Sequence, residues 1–573
     1  MSAVTRNTGP GTGTAVAVLI ALFAAIGAAS VWTIARWMST GRVEFVNPVA
    51  GVMGREPWTA THTAAAIAVA VVVLAVIVLA VVLAVRASRD RSPADRAAPY
   101  MGKGRSIAPL LPGALDKKHK RMGLDARRFR GVLVGYAVVG LTALRASYED
   151  TITVIAGPRR NKSVSIVIPA IVEAPGSLLV TGNKPDLMIT AGHRATMGRV
   201  SLFDPQGLAA AHTDNRCWWN PLATVRTIED AAVLADVFAA ASYDAEKKDD
   251  FFAKSGRDLV ANYLFAAAVN GNHLPVVFDW LSRPDNPMPA RVLQERYPSL
   301  ADDIESTQAL VEETRSGVYG FAQGVMRFLA SEALRACVTP TAGLPEFKPE
   351  EFSAAPADTL YLLSEEGPAS AGPLVAALTR AVLTAAENDA KREPSGRRPV
   401  PFMAVLDEAG NICRIPDLPA KYTHYGSRGI VVTTILQSQE QGEQVWSPRG
   451  FAQLWGASTI QVFGGGNASN GFLRDLSERI GDYEYTETTT NHQNGQRNVN
   501  RTRSSDRIMS IADLASLSLG RMVVLASGCR PVLVKSVPWF KDKQMRRLIN
   551  GGNQAPVQVH RTASTSTGVE VER

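Results

Sequence analysis

The chain has 573 residues, of which 46% are hydrophobic and 20% charged. That length leaves room for about three or four domains, and that balance excludes wholesale disorder. With 61 lysines and arginines against 53 acids the net charge is +8, which permits an anionic partner without demanding one.

A mean hydropathy of +0.00 hides a local excess of apolar residues. Two charge-free stretches hold much of it, Thr14–Ile34 (TAVAVLIALFAAIGAASVWTI) and Thr63–Val85 (TAAAIAVAVVVLAVIVLAVVLAV). Each has about 20 residues, the length that crosses a ~30 Å hydrocarbon core. Lipid offers no partner to the backbone, so both are expected as helices despite their valines. The first lacks the charged flank and cleavage site of a signal peptide, and the second is longer and more uniform than a core helix. Spans are therefore expected at about 14–35 and 63–85, making residues 1–86 a transmembrane hairpin.

The second span is followed by Arg86, Arg89, Arg91, Arg96, Lys103, Arg105, and then Lys117, Lys118, Lys120, Arg121, Arg127, Arg128 and Arg130. The connecting loop from Arg36 to His62 has three arginines and two glutamates. The positive-inside rule puts both termini on the cytoplasmic side of the plasma or inner membrane. Trp37 and Trp58 suit interfacial anchors on the outer loop. The basic stretch sets topology and meets anionic lipid; contact with nucleic acid is the sharper alternative.

Residues 87–130 read as a basic linker. From 131 onward short apolar strands ending in turn residues alternate with helical runs. TITVIAG (151–157), SLLVTGN (177–183) and VSLFDP (200–205) set the strand–helix–strand rhythm of a parallel α/β sheet. Residues 226–335 are helical throughout, an insertion in the α/β domain. Strands resume with DTLYLLS (358–364), PFMAVLDEAG (401–410), GIVVTTILQS (429–438), TIQVFGGG (459–466) and RMVVLAS (521–527). The polar stretch 486–506 reads as an exposed loop or long hairpin, and 550–573 as a disordered tail. Cys217, Cys337, Cys413 and Cys529 form no CxxC pair, which argues against a zinc or disulfide framework and for a reducing cytosol.

The turn after the first of these strands reads Gly157-Pro158-Arg159-Arg160-Asn161-Lys162-Ser163. A P-loop needs a strand, a glycine-rich bend, and Lys-Ser/Thr opening a helix, so that backbone N–H groups cradle phosphate and the hydroxyl binds Mg²⁺. Lys162 and Ser163 fit. Ala156 and Asn161 occupy the two glycine positions, and Asn is the residue that best tolerates a left-handed backbone after Gly. The bland alternative is an ordinary basic turn. The apolar strand Phe402–Leu406 ends in Asp407-Glu408, the Walker B pattern: Asp407 orders Mg²⁺ through a bound water and Glu408 activates the attacking water. The strand before Gln437 delivers a polar side chain that can reach the γ-phosphate or that water.

In this order the pieces resemble the type IV coupling proteins, the TraG/TraD group of conjugative DNA-transfer ATPases. Several strings look like the actinobacterial branch: LRASYEDTITVIAGPR (144–159), VTGNKPDLM (180–188), LFDPQG (202–207) and CWWNPL (217–222). DDFFAKSGRDLVANYLFAAA (249–268), AVLDEAGNI (404–412), GSRGIVVTTILQSQEQ (426–441) and GGGNASNGFLRDLSERIG (464–481) carry it further. The resemblance implies a RecA-like nucleotide-binding domain (131–225 and 336–549) with an all-alpha inserted domain (226–335). It implies ATP and Mg²⁺ as cofactors and a homo-hexamer at the membrane. The partners it implies are a relaxase bound to DNA, gripped non-specifically and as a single strand, and the components of a type IV secretion channel. Arg428 is carried over as a contact to nucleotide across a subunit boundary.

The pattern expected of that branch is Gly-Pro-Arg-Thr-Gly-Lys-Thr, and Arg160-Asn161 replaces its Thr-Gly pair. Weakened nucleotide binding is expected, with the charge of Arg160 as a partial offset. Three readings stay open: a DNA-pumping ATPase, a membrane adaptor with a degenerate ATP site, and an FtsK-like translocase.

Overall fold

The computed structural model describes residues 3–6, 30–43, 59–89, 92–125, 129–243, 251–367, 370–466, 468–493 and 496–554. The chain divides into two compact units, residues 1–95 with 482–507, and residues 96–481 with 508–573.

In the smaller unit, β1 (Ala3–Arg6) pairs antiparallel with β11 (Asp482–Gln493), which forms a hairpin with β12 (Gln496–Arg507). The polar stretch expected as a loop or hairpin is thus a twelve-rung hairpin, closed at its base by an Arg507–Asp482 ion pair of 3.1 Å. The helical residues 30–40 pack through Val31 and Ala35 onto Ala65 of α1 (Ala60–Arg89). Ile67, Val71, Val72, Leu74, Val78 and Leu79 of α1 are exposed. Among the described residues no helix is long and apolar enough to cross a membrane. Residues 14–29 of the first expected span lie outside the described residues.

The larger unit is built on one sheet of eleven strands. They are β2 (Val132–Ala137), β3 (Ala143–Ala146), β4 (Ile152–Ile155), β5 (Leu178–Gly182), β6 (Val200–Phe203), β7 (Thr359–Leu363), β8 (Phe402–Leu406), β9 (Ile430–Leu436), β10 (Ile460–Phe463), β13 (Arg521–Ala526) and β14 (Val532–Lys535). Their order is β3-β2-β14-β13-β10-β4-β9-β8-β5-β7-β6. The seven strands from β10 to β6 run parallel, and the four at the other edge are antiparallel. Every residue of β4, β5, β7, β8 and β9 is buried, as continuous apolar runs require when both faces of a parallel sheet are covered.

Helices alone lie between β6 and β7 among the described residues. A Thr227–Asp230 capping box starts α3 (Ile228–Ser242). Gly256 lets α4 (Phe251–Val269) approach α5 (Glu312–Met326) closely: a Cβ there would lie 2.7 Å from the Phe321 ring. The segment expected as a linker carries a helix, Pro112–Arg121, and buries Ile107, Leu110, Leu124 and Phe129 in the core of the sheet. The last described helix, Lys543–Gln554, runs beyond 550, and residues 555–573 lie outside the described residues.

Candidate nucleotide-binding site

Strand order decides what meets what. β9 lies between β4 and β8, all three parallel, so their carboxyl ends share one edge of the sheet. The register pairs Ile155 with Leu436 and Leu406 with Thr434. Residues that follow these strands, 156–163, 407–408 and 437, converge, the first group from more than two hundred positions before the other two. Of these, 158–163, 407–408 and 437 line a cavity of about 450 Å³, within the usual range for small-ligand sites.

The turn after β4 is bent by two left-handed residues, Arg159 at φ 58° and Asn161 at φ 62°. Asn161 holds here the backbone region in which a P-loop uses glycine. The chain then coils at once into a π-type turn, Ser163–Val167, and continues as α2 (Ile168–Glu173). The first amides of such a helix have no partner within it, and Ser163 and Val164, which carry two of them, line the cavity. Gly466 makes room for the turn, since a Cβ there would lie 2.6 Å from the Gly157 Cα. The Gly157 N–H donates to the Gly465 carbonyl at 2.9 Å.

Arg160 lines the cavity and also reaches across to neighbouring loops. Its Nε donates to the Gly464 carbonyl at 2.8 Å, and Nη2 donates to the carbonyls of Leu517 and Ser518. The guanidinium therefore braces the turn against two distant loops. Three backbone carbonyls accept from its Nε and Nη2.

The acids sit at the buried end of β8. Glu408 has a left-handed backbone, φ 54°. Lys162 Nζ lies 3.2 Å from Glu408 Oε1, both side chains almost wholly buried. The Ser163 hydroxyl donates to Asp407 Oδ2 at 3.1 Å, and Gln437 Nε2 donates to Glu408 Oε2 at 2.7 Å. Burial, aided by the adjacent Glu408 charge, pushes the Asp407 carboxyl up to about 6 against the opposing pull of Lys162 and Ser163. Two buried carboxylates facing one lysine leave a deficit of positive charge. A divalent cation held beside Ser163 and Asp407 would remove it, so the donor set fits a magnesium–phosphate ligand. Among the described residues no cluster of three or more His, Cys, Asp or Glu is placed to hold a metal by itself.

Gly157 stands behind the turn. Pro158, Arg159, Arg160, Asn161, Lys162, Ser163, Asp407, Glu408 and Gln437 all line the cavity. Arg428 does not. It lies at the amino end of β9, some 20 Å of strand away from Gln437, where it pairs with buried Glu387 at 3.4 Å. Sequence reasoning missed Lys184 and Asp186 on the facing wall. The string VTGNKPDLM was visible, yet only the neighbouring of β5 and β8 brings its turn to the site.

Residues 401–518 match the family model described as the TraM recognition site of TraD and TraG. No curated protein matches the chain. Among solved structures, the chain is similar to the bacterial conjugative coupling protein TrwB in an unbound monoclinic form. The TM-score is 0.52 and the identity 17%, over 75% of this chain and 92% of that one. TrwB in complex with ADP and Mg²⁺ gives a TM-score of 0.50 at 16% identity, over 74% and 92%. TrwB with a non-hydrolysable GTP analogue gives 0.50 at 17% identity, over 74% and 92%. At such identity the structural likeness is one of fold. Together with the match at 401–518, it agrees with the resemblance to type IV coupling proteins carried by the motifs.

Proposed function

We propose that the chain is a membrane-anchored conjugative coupling protein, an ATPase that receives a relaxase–DNA complex and feeds it to a type IV secretion channel. The observation that carries this reading is the convergence of Lys162, Ser163, Asp407, Glu408 and Gln437 on one cavity, in a fold shared with TrwB. The solved complex of TrwB with ADP and Mg²⁺ supports the same cofactors here.

Bound Mg·ATP supplies a polarised γ-phosphoryl group for in-line attack by water. Ser163 Oγ and Asp407 would hold the metal, which would supply positive charge to the phosphoryl oxygens. Lys162 exchanges the Glu408 carboxylate for phosphate, which sets Glu408 free to take a proton from the attacking water. Gln437 stays bonded to Glu408 and orients that water. Arg428 is assigned to a neighbouring subunit's nucleotide in a homo-hexamer, because its distance from Gln437 rules out its own. The DNA grip is assigned to lysines and arginines acting on phosphates of a single strand, without sequence preference.

The anchor rests on the composition of Thr14–Ile34 and Thr63–Val85. The exposed apolar side chains of α1 support it, since lipid is the medium in which they cost nothing. The localisation proposed is the plasma or inner membrane, with both termini cytoplasmic.

One observation favours a second reading, a substrate-recruiting adaptor with a weak ATP site: Asn161 stands where the P-loop pattern has glycine. Turnover of ATP by the detergent-purified full chain, with and without single-stranded DNA, separates the two. The expected result is DNA-stimulated hydrolysis, with Asn161→Gly tightening Mg·ATP roughly tenfold by giving phosphate closer access to backbone. A wild type that binds no nucleotide beside an Asn161→Gly variant that does would leave the adaptor.

A further inference from the structure

Two carboxamides that the site reading leaves unassigned stand behind the catalytic pair. Asn411 lies on the short helix Ala409–Ile412 that follows Glu408, and Gln441 lies in the first turn of the helix Gln439–Ala457 that follows Gln437. Gln441 Oε1 accepts from the Gln437 backbone N–H at 2.8 Å. Gln441 Nε2 donates to Asn411 Oδ1 at 2.6 Å. Asn411 Nδ2 then faces Glu408 Oε2 at 3.4 Å, the oxygen that also accepts from Gln437 Nε2. The contacts close into a ring through Glu408, Gln437, Gln441 and Asn411.

The polarity of this ring has one solution. A backbone N–H only donates, so the oxygen of Gln441 must face it. Its nitrogen must then face the oxygen of Asn411, which turns the Asn411 nitrogen to a carboxylate that only accepts. Both amides are thus fixed in orientation by their neighbours. The packing is equally specific: a Cβ on Gly410 would stand 2.4 Å from Gln441 Cγ, so Gly410 is what lets the bridge pass. Glu408 holds a left-handed backbone, which costs free energy for any residue with a Cβ, so its surroundings must hold it there.

We infer that Asn411 and Gln441 are positioning residues that lock the Glu408 carboxylate and the Gln437 amide in one relative geometry for water attack. The inference rests on the proposed ATPase reading. Lys162 has to leave Glu408 when phosphate is bound, and the ring is then what keeps the carboxylate aimed. It also ties the acid turn after β8 to the helix after β9, so a shift of either element moves base and water-orienting amide together.

The test uses the full chain in detergent. Gln441→Met keeps the length and the contact with Gly410 but removes both hydrogen bonds. Asn411→Asp keeps the shape but sets a second carboxylate against Glu408. Steady-state ATP turnover and Mg·ADP affinity are measured for each. Both variants are expected to lose roughly 10- to 100-fold in kcat, the scale of a misplaced reacting group, with Mg·ADP affinity within about threefold of wild type. A merely structural bridge would lower affinity and kcat together, and that result overturns the inference. So does wild-type turnover in both variants. A wild type with no nucleotide-dependent turnover removes the ATPase reading itself, and with it the role assigned here.

Discussion

At the scale of single residues, the buried carboxyl of Asp407 makes the sharpest claim. Its raised pKa means that the folded protein disfavours the ionised form. The sign follows: stability is highest where the group is protonated in the folded state and falls as pH rises from the ordinary aspartate value through about 6. Asp407→Asn is therefore expected to raise the unfolding free energy of the nucleotide-free protein at pH 7, read by urea titration, by on the order of 1–3 kcal/mol, and to leave it unchanged near pH 3. The same proton competes with magnesium. Mg·ADP affinity of the wild type is expected to fall roughly tenfold per pH unit below about 6, and calorimetry across that range checks it. Arg160 offers a second case. Arg160→Ala removes a brace on three carbonyls, with an expected stability loss of about 1–3 kcal/mol by denaturant unfolding.

Between elements, the turn after β4 and the glycines after β10 form one fitted pair. Gly466 is at φ 113°, and any Cβ there meets the Gly157 backbone, which has no side chain to rotate aside. Gly466→Ala is expected to abolish Mg·ADP binding while the far-UV spectrum stays native, a result that titration with labelled nucleotide reads directly. The elements themselves were legible where their pattern was strong. The apolar runs before Gly157, Asp407 and Gln437 appear as β4, β8 and β9. The short strands β2, β3 and β14 were not, because their four to six residues carry Gly135, Arg145 and Lys535 and no clean alternation. The segment expected as a linker hid its buried residues among charges: Leu115 and His119 are buried within the basic helix Pro112–Arg121. There the helical spacing, rather than the overall polarity, predicts burial.

For the whole molecule, two consequences of the proposed function can be measured. The full chain is expected to sediment with membranes, and deletion of residues 1–91 to release it; retention of the deleted chain would sink the anchor. Single-stranded DNA binding is expected to weaken steeply with salt, since its free energy is assigned to phosphate contacts. A salt-independent affinity would remove that assignment.

The sequence by itself determined the chemistry on offer: a Lys-Ser turn, an Asp-Glu strand end, a glutamine strand end and the residues that depart from the P-loop pattern. Those are local facts, set by residue type and by spacing along one strand or turn. Tertiary structure alone decided which of them meet. The order β4-β9-β8 gathers three strand ends on one edge and leaves Arg428 at the opposite end of β9. Tertiary structure also gave Arg160 a bracing role, and linked Gln441 through Asn411 to Glu408. The reason is physical. A hydrogen bond or ion pair is chosen by distance and angle in space, and strand order sets those for residues hundreds of positions apart.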